Sequence, residues 1–148
     1  MKSIVFQYGI RLKEDGKIAV FPAIEARIKG NTSESLLGTF LIDSGATVSV
    51  LPAGDADVLG IDLWNGTKIT IRGLGATDFL GFRHTVTCEI GIYDIKLPVV
   101  FIYNPATLRI LGREGLFDKF LIMFDEEKQC TLFLNPKMRS AIGSLLKK

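Results

Sequence analysis

The chain has 148 residues, of which 47% are hydrophobic and 23% are charged, a composition typical of globular proteins. This length is enough for one domain, is too short for two ordinary ones, and allows a substantial buried core. The 18 basic and 16 acidic residues leave a formal net charge of +2. That value excludes the large basic excess expected of a protein that binds nucleic acid or an anionic membrane.

The N-terminal segment does not have the pattern of a targeting signal. In MKSIVFQYGIRLKEDGK a single lysine precedes a short apolar run, which Gln7, Gly9 and Arg11 interrupt. A secretory signal has a longer apolar region, and a membrane-spanning helix needs about 18 or more apolar residues. We therefore expect a cytoplasmic protein with no membrane partner. Because the cytosol is reducing, Cys88 and Cys130 are predicted to be free thiols.

Short strand-like segments separated by turn residues occupy most of the chain. The first two, Ser3–Leu12 and Lys17–Ile28, flank Asp15-Gly16 and are predicted to form a hairpin, and Pro22 predicts a bend or a sheet edge. Further strands are predicted over residues 36–42, 48–51, 68–71, 79–90, 94–103, 121–125 and 129–134. Helical segments between most of the strands are missing, which indicates an all-β barrel or sandwich.

Three short segments have helical character. They are Pro52–Ile61, Arg113–Phe120 and the C-terminal residues that follow Asn135-Pro136, a pair typical of a helix N-terminus. In the last segment, apolar residues recur at the spacing of one helix face, at Met138, Ala141, Ile142, Leu145 and Leu146. We expect this C-terminal helix to pack on its own domain, and a contact with a partner is the alternative.

One segment, TFLIDSGATVSVLP over Thr39–Pro52, brings an ionisable side chain to the end of an apolar strand. Asp43 follows Phe40, Leu41 and Ile42, and small residues then turn the chain back. Burying an unpaired carboxylate costs several kcal/mol or forces it to take up a proton. Asp43 is therefore either a structural cap of the turn or a group that takes part in chemistry.

Two later segments add to this pattern. ITIRGLGA, over Ile69–Ala76, has the glycines of a tight hairpin, and RILGR, over Arg109–Arg113, has an apolar pair followed by glycine. Taken alone, they indicate a glycine hairpin and a buried strand that ends in a turn. The first segment does not match a dinucleotide-binding loop, because Asp78 stands where the third glycine would be.

In this order, the three segments resemble those of the retropepsin-like aspartic peptidases, and the cellular and bacterial branch more than the viral one. The resemblance spans roughly Ala19 to Leu134 and implies an all-β fold, a retropepsin-like acid-protease barrel, within a single domain over residues 1–148. It also implies one short helix after Ile110-Leu111-Gly112. The C-terminal helix over residues 135–148 would follow this core.

The resemblance implies a role for each residue that matches a motif. Ser44 would hydrogen-bond across a dimer axis, and the glycine hairpin would be a flap that closes over the substrate. The implied site residues are Asp43 as the catalytic group; Ser44, Gly45 and Ala46 as support of its loop; Gly73, Leu74 and Gly75 as the flap; Val48, Ile71, Pro105 and Ile110 as an apolar substrate pocket; and Gly112 and Arg113 as structural residues.

The expected chemistry determines the expected assembly. Aspartic peptidases use two carboxylates that share one proton, and this chain has a single Asp-Ser-Gly. Asp15 also precedes a glycine, but its polar neighbours indicate a turn. The second carboxylate would therefore come from a second copy in a homodimer that hydrolyses peptide bonds. No metal or other cofactor is expected, since His84 and two distant cysteines do not make a convincing zinc site.

The chain departs from the family pattern at Thr47, where many viral members have an acidic residue that pairs with the arginine after the later glycine. The partner of Arg113 and the dimer interface therefore stay open. The alternative function is a non-proteolytic retropepsin-like module for dimerisation or peptide binding. A third possibility is a precursor that becomes active only after a terminus is cut.

Overall fold

The computed structural model describes residues 2–72, 77–104 and 107–145. Within these ranges the chain forms twelve strands and two α-helices, together with a 3-10 turn at Leu63–Asn65. The elements are β1 (Ile4–Gln7), β2 (Gly9–Leu12), β3 (Ile18–Phe21), β4 (Ala23–Lys29), β5 (Ser35–Ile42), β6 (Ser49–Pro52), α1 (Ala53–Val58), β7 (Thr67–Arg72), β8 (Asp78–Ile90), β9 (Tyr93–Ile102), β10 (Ile110–Leu111), β11 (Leu121–Asp125), β12 (Cys130–Leu134) and α2 (Met138–Leu145).

The largest sheet has seven strands in the order β4-β5-β10-β6-β9-β8-β7. A further antiparallel pairing of β4 with β8 closes six of these strands into a barrel, and β7 continues as a hairpin arm with the first part of β8. A three-stranded sheet, β1-β12-β11, and the separate β2-β3 hairpin complete the strands. The all-β prediction is confirmed, and closure leaves few free strand edges in the barrel.

Successive side chains of β5 alternate between the apolar core and the opposite face, on which Asp43 lies. Phe40 and Ile42 point into the main apolar core and are 0% and 3% exposed, whereas Thr39 and Leu41 point to the opposite face. Side chains in a strand alternate between the two faces. Asp43, the next residue after Ile42, therefore lies on the outward face of the strand and is only half-buried.

Two predicted strands are each divided in the structure. The first is interrupted at Tyr8, and the second bends at Pro22, as the proline predicts. The Pro22 carbonyl accepts a hydrogen bond of 2.9 Å from the Ile42 N–H, so the bend lies against the end of β5. The predicted hairpin around Asp15-Gly16 is confirmed as β2-β3, with Gly16 at a φ of 77°.

The structure differs from the sequence prediction over Arg113–Phe120, where a helix was expected. Consecutive hydrogen-bonded turns are found there, including a bond of 2.9 Å from the Phe117 N–H to the Arg113 carbonyl. The physical reason is Gly115, whose φ of 79° lies in the left-handed region and interrupts the helical path. The apolar spacing is still used, because Leu116 and Phe120 are buried in the core.

The C-terminal helix α2 is present, and it begins at Met138, after Asn135 Oδ1 accepts a hydrogen bond of 3.0 Å from the Lys137 N–H. The predicted contact with its own domain is present but slight, since none of its described residues is buried. It is connected to the domain by Arg139, which donates to the Phe117 carbonyl over 3.0 Å. No helix in the described ranges is long and apolar enough to cross a membrane.

The two cysteines are free and buried, as predicted. Burial in the core, together with the nearby charges of Asp94 and Glu89, raises the pKa of the Cys88 thiol to about 12. Because the thiolate is the reactive form, Cys88 is expected to resist alkylation in the folded protein at pH 8.

Mass spectrometry after treatment with iodoacetamide checks this prediction. Cys88 should stay unmodified in buffer and react fully in concentrated urea. Ser140→Cys, at an exposed position on α2, provides an accessible thiol in the same sample. Alkylation of Cys88 in buffer at the rate of this added cysteine would contradict the prediction.

Candidate active site

Asp43 is held at the end of β5 by a parallel pairing with a distant part of the chain. Leu41 and Ile42 lie beside Ile110 and Leu111 of β10, which enters between β5 and β6. The pairing extends one residue beyond the strand, because the Asp43 N–H donates to the Leu111 carbonyl over 3.0 Å. The backbone of Asp43 is therefore fixed by the sheet itself.

The turn after Asp43 is organised around its own carboxylate. The Gly45 N–H donates to Asp43 Oδ1 over 2.8 Å, and the Ala46 N–H donates to the Asp43 carbonyl over 3.3 Å. The other carboxylate oxygen makes no hydrogen bond to the described residues. Ser44 and Gly45 are exposed. One oxygen thus orients the side chain, and the second is left without a partner among the described residues.

The loop 43–49 is cross-linked to the segment that follows β10. The Gly112 N–H donates to Oγ of the buried Ser49 over 3.1 Å, and the Arg113 N–H donates to the Ala46 carbonyl over 2.9 Å. Gly112 is needed for this approach, since a Cβ atom there would lie 2.5 Å from the Val48 carbonyl oxygen. The two segments therefore cross at a distance that only glycine permits.

The structure also answers the open question about Arg113. Its side chain donates to Thr47 Oγ1 over 3.3 Å, so a hydroxyl occupies the place of the acidic partner found in many viral members. The neighbouring Glu114 forms an ion pair with Arg83 of β8, and its N–H donates to the Thr47 carbonyl over 2.8 Å. The loop is thus connected to the barrel wall without a carboxylate at position 47.

An ion pair between the half-buried Arg109 and the buried Asp55 holds the start of β10. Arg109 donates from Nε and Nη2 to the two oxygens of Asp55, both over 2.7 Å, and the Asp55 side chain is only 7% exposed. These hydrogen bonds raise the pKa of Arg109 above its ordinary value. The Arg109 carbonyl accepts a hydrogen bond of 2.9 Å from the Leu41 N–H. The pair therefore connects α1 to the strand pairing that supports Asp43.

Three of the four predicted pocket residues, Val48, Ile71 and Ile110, come together beside this loop. They are half-buried and pack in a small apolar cluster that is separate from the main core. The other members of the cluster are Val50, Ile69, Phe79, Val100 and Ile102. The fourth predicted residue, Pro105, lies outside the described residues.

The predicted flap tip, Gly73, Leu74 and Gly75, also lies outside the described residues. The two strands that lead to it are present and pair as far as Arg72 and Asp78. These two side chains form an exposed ion pair of 3.2 Å. The hairpin arms also contribute Ile69, Ile71 and Phe79 to the small apolar cluster.

Comparison with known proteins gives a consistent picture of the fold. No family model matches the sequence, and no curated protein sequence matches it. Among solved structures, a retropepsin-like aspartic protease from Rickettsia conorii is 20% identical, with a TM-score of 0.58 over 88% of this chain and 89% of that protein. The chain has a retropepsin-like fold.

Two further structures support this assignment of the retropepsin-like fold. EIAV protease in complex with the inhibitor HBY-793 is 28% identical, with a TM-score of 0.51 over 66% of this chain and 86% of that protein. The retroviral protease-like domain of Ddi1 from Leishmania major is 19% identical, with a TM-score of 0.54 over 75% of this chain and 86% of that domain. The shared architecture covers most of each protein.

The sequence motifs did not indicate several residues on which the retropepsin-like fold depends here. Ser49 and Asp55 are buried polar residues, and their partners, Gly112 and Arg109, are far away in the chain. A polar residue in an apolar strand was the available signal for Ser49. An acidic residue in the first turn of a short helix was the signal for Asp55, but helix electrostatics explains such a residue equally well.

No group of three His, Cys, Asp or Glu side chains that could hold a metal ion occurs in the described part of the retropepsin-like fold. His84, the only histidine of the chain, lies on β8. One of its ring nitrogens is 3.1 Å from the Leu63 carbonyl oxygen, and its ring packs on Phe101 at a centroid distance of 5.8 Å. Its contacts are those of a structural residue.

Gly112→Ala tests the crossing beneath the Asp43 loop. The added methyl group would overlap the Val48 carbonyl, so the free energy of unfolding should fall by roughly 2–3 kcal/mol. Gly143→Ala provides the matched control, because nothing lies within 4 Å of its added Cβ on α2. It should leave stability unchanged or raise it by up to about 1 kcal/mol. Urea denaturation measures both, and equal effects would contradict the crossing as the cause.

Asp55→Asn tests the anchor of β10. It leaves the Arg109 charge without its carboxylate and should lower the free energy of unfolding by roughly 2–3 kcal/mol, less than for a fully buried pair because Arg109 is one-third exposed. Asp94→Asn, which removes one carboxylate from the exposed Lys29 cluster, should have a smaller effect in the same urea experiment. A larger loss in the control would contradict the anchoring role.

Proposed function

We propose that this chain is an aspartic endopeptidase that acts as a homodimer, with Asp43 of each copy in a shared catalytic dyad. One observation supports this proposal above the others. In a retropepsin-like fold, the half-buried Asp43 ends β5 with one carboxylate oxygen held by the Gly45 N–H, and the other makes no bond to the described residues. A carboxylate oriented in this way can approach the Asp43 carboxylate of a second copy of the chain.

The chemistry requires two carboxylates, and a two-fold axis through the loop would supply them. A residue near such an axis faces its own counterpart, so a single Asp-Ser-Gly per chain suffices. Two carboxylates in close contact share one proton. The ionised member takes a proton from a water molecule, whose oxygen attacks the amide carbon. The protonated member gives its proton to the carbonyl oxygen, where negative charge develops, and a tetrahedral diol forms. The carboxyl that took the water proton then gives it to the amide nitrogen, while the other carboxylate takes a proton from the diol. The C–N bond breaks, the amine leaves, and the dyad again holds one proton.

The remaining site residues have proposed roles in this reaction. Ser44 would brace the two loops across the axis, and Gly45 and Ala46 would leave space for the second copy and the substrate. Gly73, Leu74 and Gly75 would close over an extended peptide. The apolar cluster would favour apolar side chains beside the scissile bond, with contributions from Val48, Ile71, Pro105 and Ile110. Gly112 and Arg113 would hold the loop in position.

The proposed context is a single domain over residues 1–148 that acts on peptide segments in the cytoplasm. Buried free thiols are compatible with a reducing compartment. Exposed or unfolded peptide segments are the expected substrates, because the reaction needs an extended backbone in the site.

A second candidate function is a non-proteolytic module for dimerisation or peptide binding. The bond from the Gly45 N–H to Asp43 Oδ1 favours it specifically, because a purely structural aspartate makes the same bond when it stabilises a turn. This reading accounts for the geometry of the loop without any reaction. The two functions differ in whether Asp43 is needed for hydrolysis.

Asp43→Asn separates them. The amide oxygen can still accept from the Gly45 N–H, so the fold should persist by circular dichroism, while hydrolysis of a peptide library should fall by at least about 1,000-fold in kcat/KM. Mass spectrometry identifies the products, and sedimentation shows whether the protein is a dimer. Asp57→Asn, at an exposed position on α1, is the matched control and should keep full activity.

Equal cleavage by wild type and Asp43→Asn would contradict the proposed mechanism. Peptide binding by a wild-type dimer that produces no cleavage would favour the second candidate. A strict monomer at high concentration would contradict both.

A further inference from the structure

A cavity of about 350 Å³ lies between the β2-β3 hairpin, β5 and the chain that enters β10. Its walls are mostly apolar side chains, and two guanidinium groups and one hydroxyl group also line it. The lining residues are Arg11, Ala19, Phe21, Thr39, Leu41, Leu108 and Arg109. The cavity does not share residues with the small apolar cluster beside the Asp43 loop. It is therefore a separate place where a ligand could be held.

The cavity opens on the same face of β5 as the Asp43 side chain. Thr39 and Leu41 line it, and they alternate with Phe40 and Ile42 in the core, so Asp43 continues their row. Two residues of strand span about 7 Å. A peptide whose scissile bond lies at Asp43 would thus reach the cavity with a side chain a few residues away.

The two guanidinium groups of the cavity differ in their electrostatic state. Arg109 is neutralised by the two bonds to Asp55. Arg11 is exposed and makes no ion pair or hydrogen bond within the described residues. Glu25, which pairs with Thr39 across β4 and β5, neither lines the cavity nor pairs with Arg11. Glu14 and Asp15 line an adjoining pocket together with Arg11, but Asp15 pairs with Lys17 and neither carboxylate forms an ion pair with Arg11. Among the described residues, Arg11 is therefore the cavity guanidinium without a paired carboxylate.

The geometry of the hairpin directs this charge toward the cavity. Arg11 lies directly opposite Ala19, and Gly9 lies opposite Phe21, so these side chains share one face of β2-β3. The small Ala19 leaves space beside the Arg11 stem. The opposite face carries Ile10 and its exposed aliphatic neighbours, with Val20 in register. Arg11 is thus the charged member of the face that lines the cavity.

We propose that this cavity is a specificity site for an acidic residue of the substrate, with Arg11 binding the carboxylate while the apolar wall receives the adjoining aliphatic part. The site rests on the proposed function in one respect, namely that its ligand is a peptide bound at Asp43. A guanidinium matches a carboxylate because its paired N–H groups meet both oxygens. The acidic residue would lie about two to four positions from the scissile bond, given about 3.3 Å per residue.

The experiment compares matched peptides that differ at one position. A decapeptide with Leu-Phe at its centre is prepared with Glu, Gln or Lys at each position two to four residues from the centre, on both sides. For wild type, kcat/KM at the preferred position should be about three- to tenfold higher with Glu than with Gln, the size expected for a partly exposed charge pair. Arg11→Gln should abolish this ratio, and Arg11→Glu should reverse it in favour of Lys.

Lys13→Gln is the matched control. Lys13 lies on the same hairpin, and its replacement removes the same charge, but it does not line the cavity. The Glu-to-Gln ratio should persist in this variant. Equal loss of the ratio in Lys13→Gln and Arg11→Gln would show that general attraction between charges, and not the cavity, causes the preference, and would overturn the proposal.

Binding keeps this proposal separate from the proposed hydrolysis. Fluorescein-labelled versions of the same peptides are titrated with Asp43→Asn protein, and anisotropy measures their affinity. If no protein cleaves any peptide but the Glu peptide binds more tightly than the Gln peptide, and only while Arg11 is present, the cavity proposal holds and hydrolysis fails. Cleavage without any preference for Glu would support hydrolysis and overturn the proposed site.

Discussion

The parallel pairing of β5 with the two residues of β10 is the interaction on which the rest of the structure depends. Because β10 enters between β5 and β6, it joins strands that are distant in sequence and leads to the hydrogen bond from the Asp43 N–H to the Leu111 carbonyl. Parallel strands need a long crossover connection, and the chain from β6 through the hairpin arms and β9 supplies it. The position of Asp43 is therefore determined by a contact made late in the chain.

Two features hold this short strand in its place. Gly112 allows its chain to pass directly beneath the Val48 carbonyl, and Arg109 connects its start to Asp55 on α1. A partly buried ion pair contributes little net stability compared with an apolar pair, but it has strict geometry. Its value here is positional, since it fixes the segment whose carbonyl groups bind β5. The ion pair and the close approach at Gly112 thus both hold the loop that follows Asp43.

The outward face of β5 connects this framework to the proposed function. The same alternation that buries Phe40 and Ile42 presents Thr39, Leu41 and Asp43 along one line. Within the described residues, one carboxylate oxygen of Asp43 and the Arg11 guanidinium have no hydrogen-bond partner, and an apolar cluster lies beside the Asp43 loop. An extended chain alternates its side chains with the same period as the strand, so the proposed peptide substrate would match this surface.

The sequence by itself determined the strand pattern, the short helix α1 and the apolar approach to Asp43, because each depends on local periodicity and turn chemistry. It also indicated Val48, Ile71 and Ile110 by resemblance. It misjudged Arg113–Phe120, where the left-handed Gly115 replaces a helix by turns. Only the tertiary structure decided that Arg109 meets Asp55, that Thr47 meets Arg113, and that Arg11 lines a cavity. These contacts join residues far apart in the chain, and no local pattern of charge or hydropathy specifies which distant residue a side chain meets.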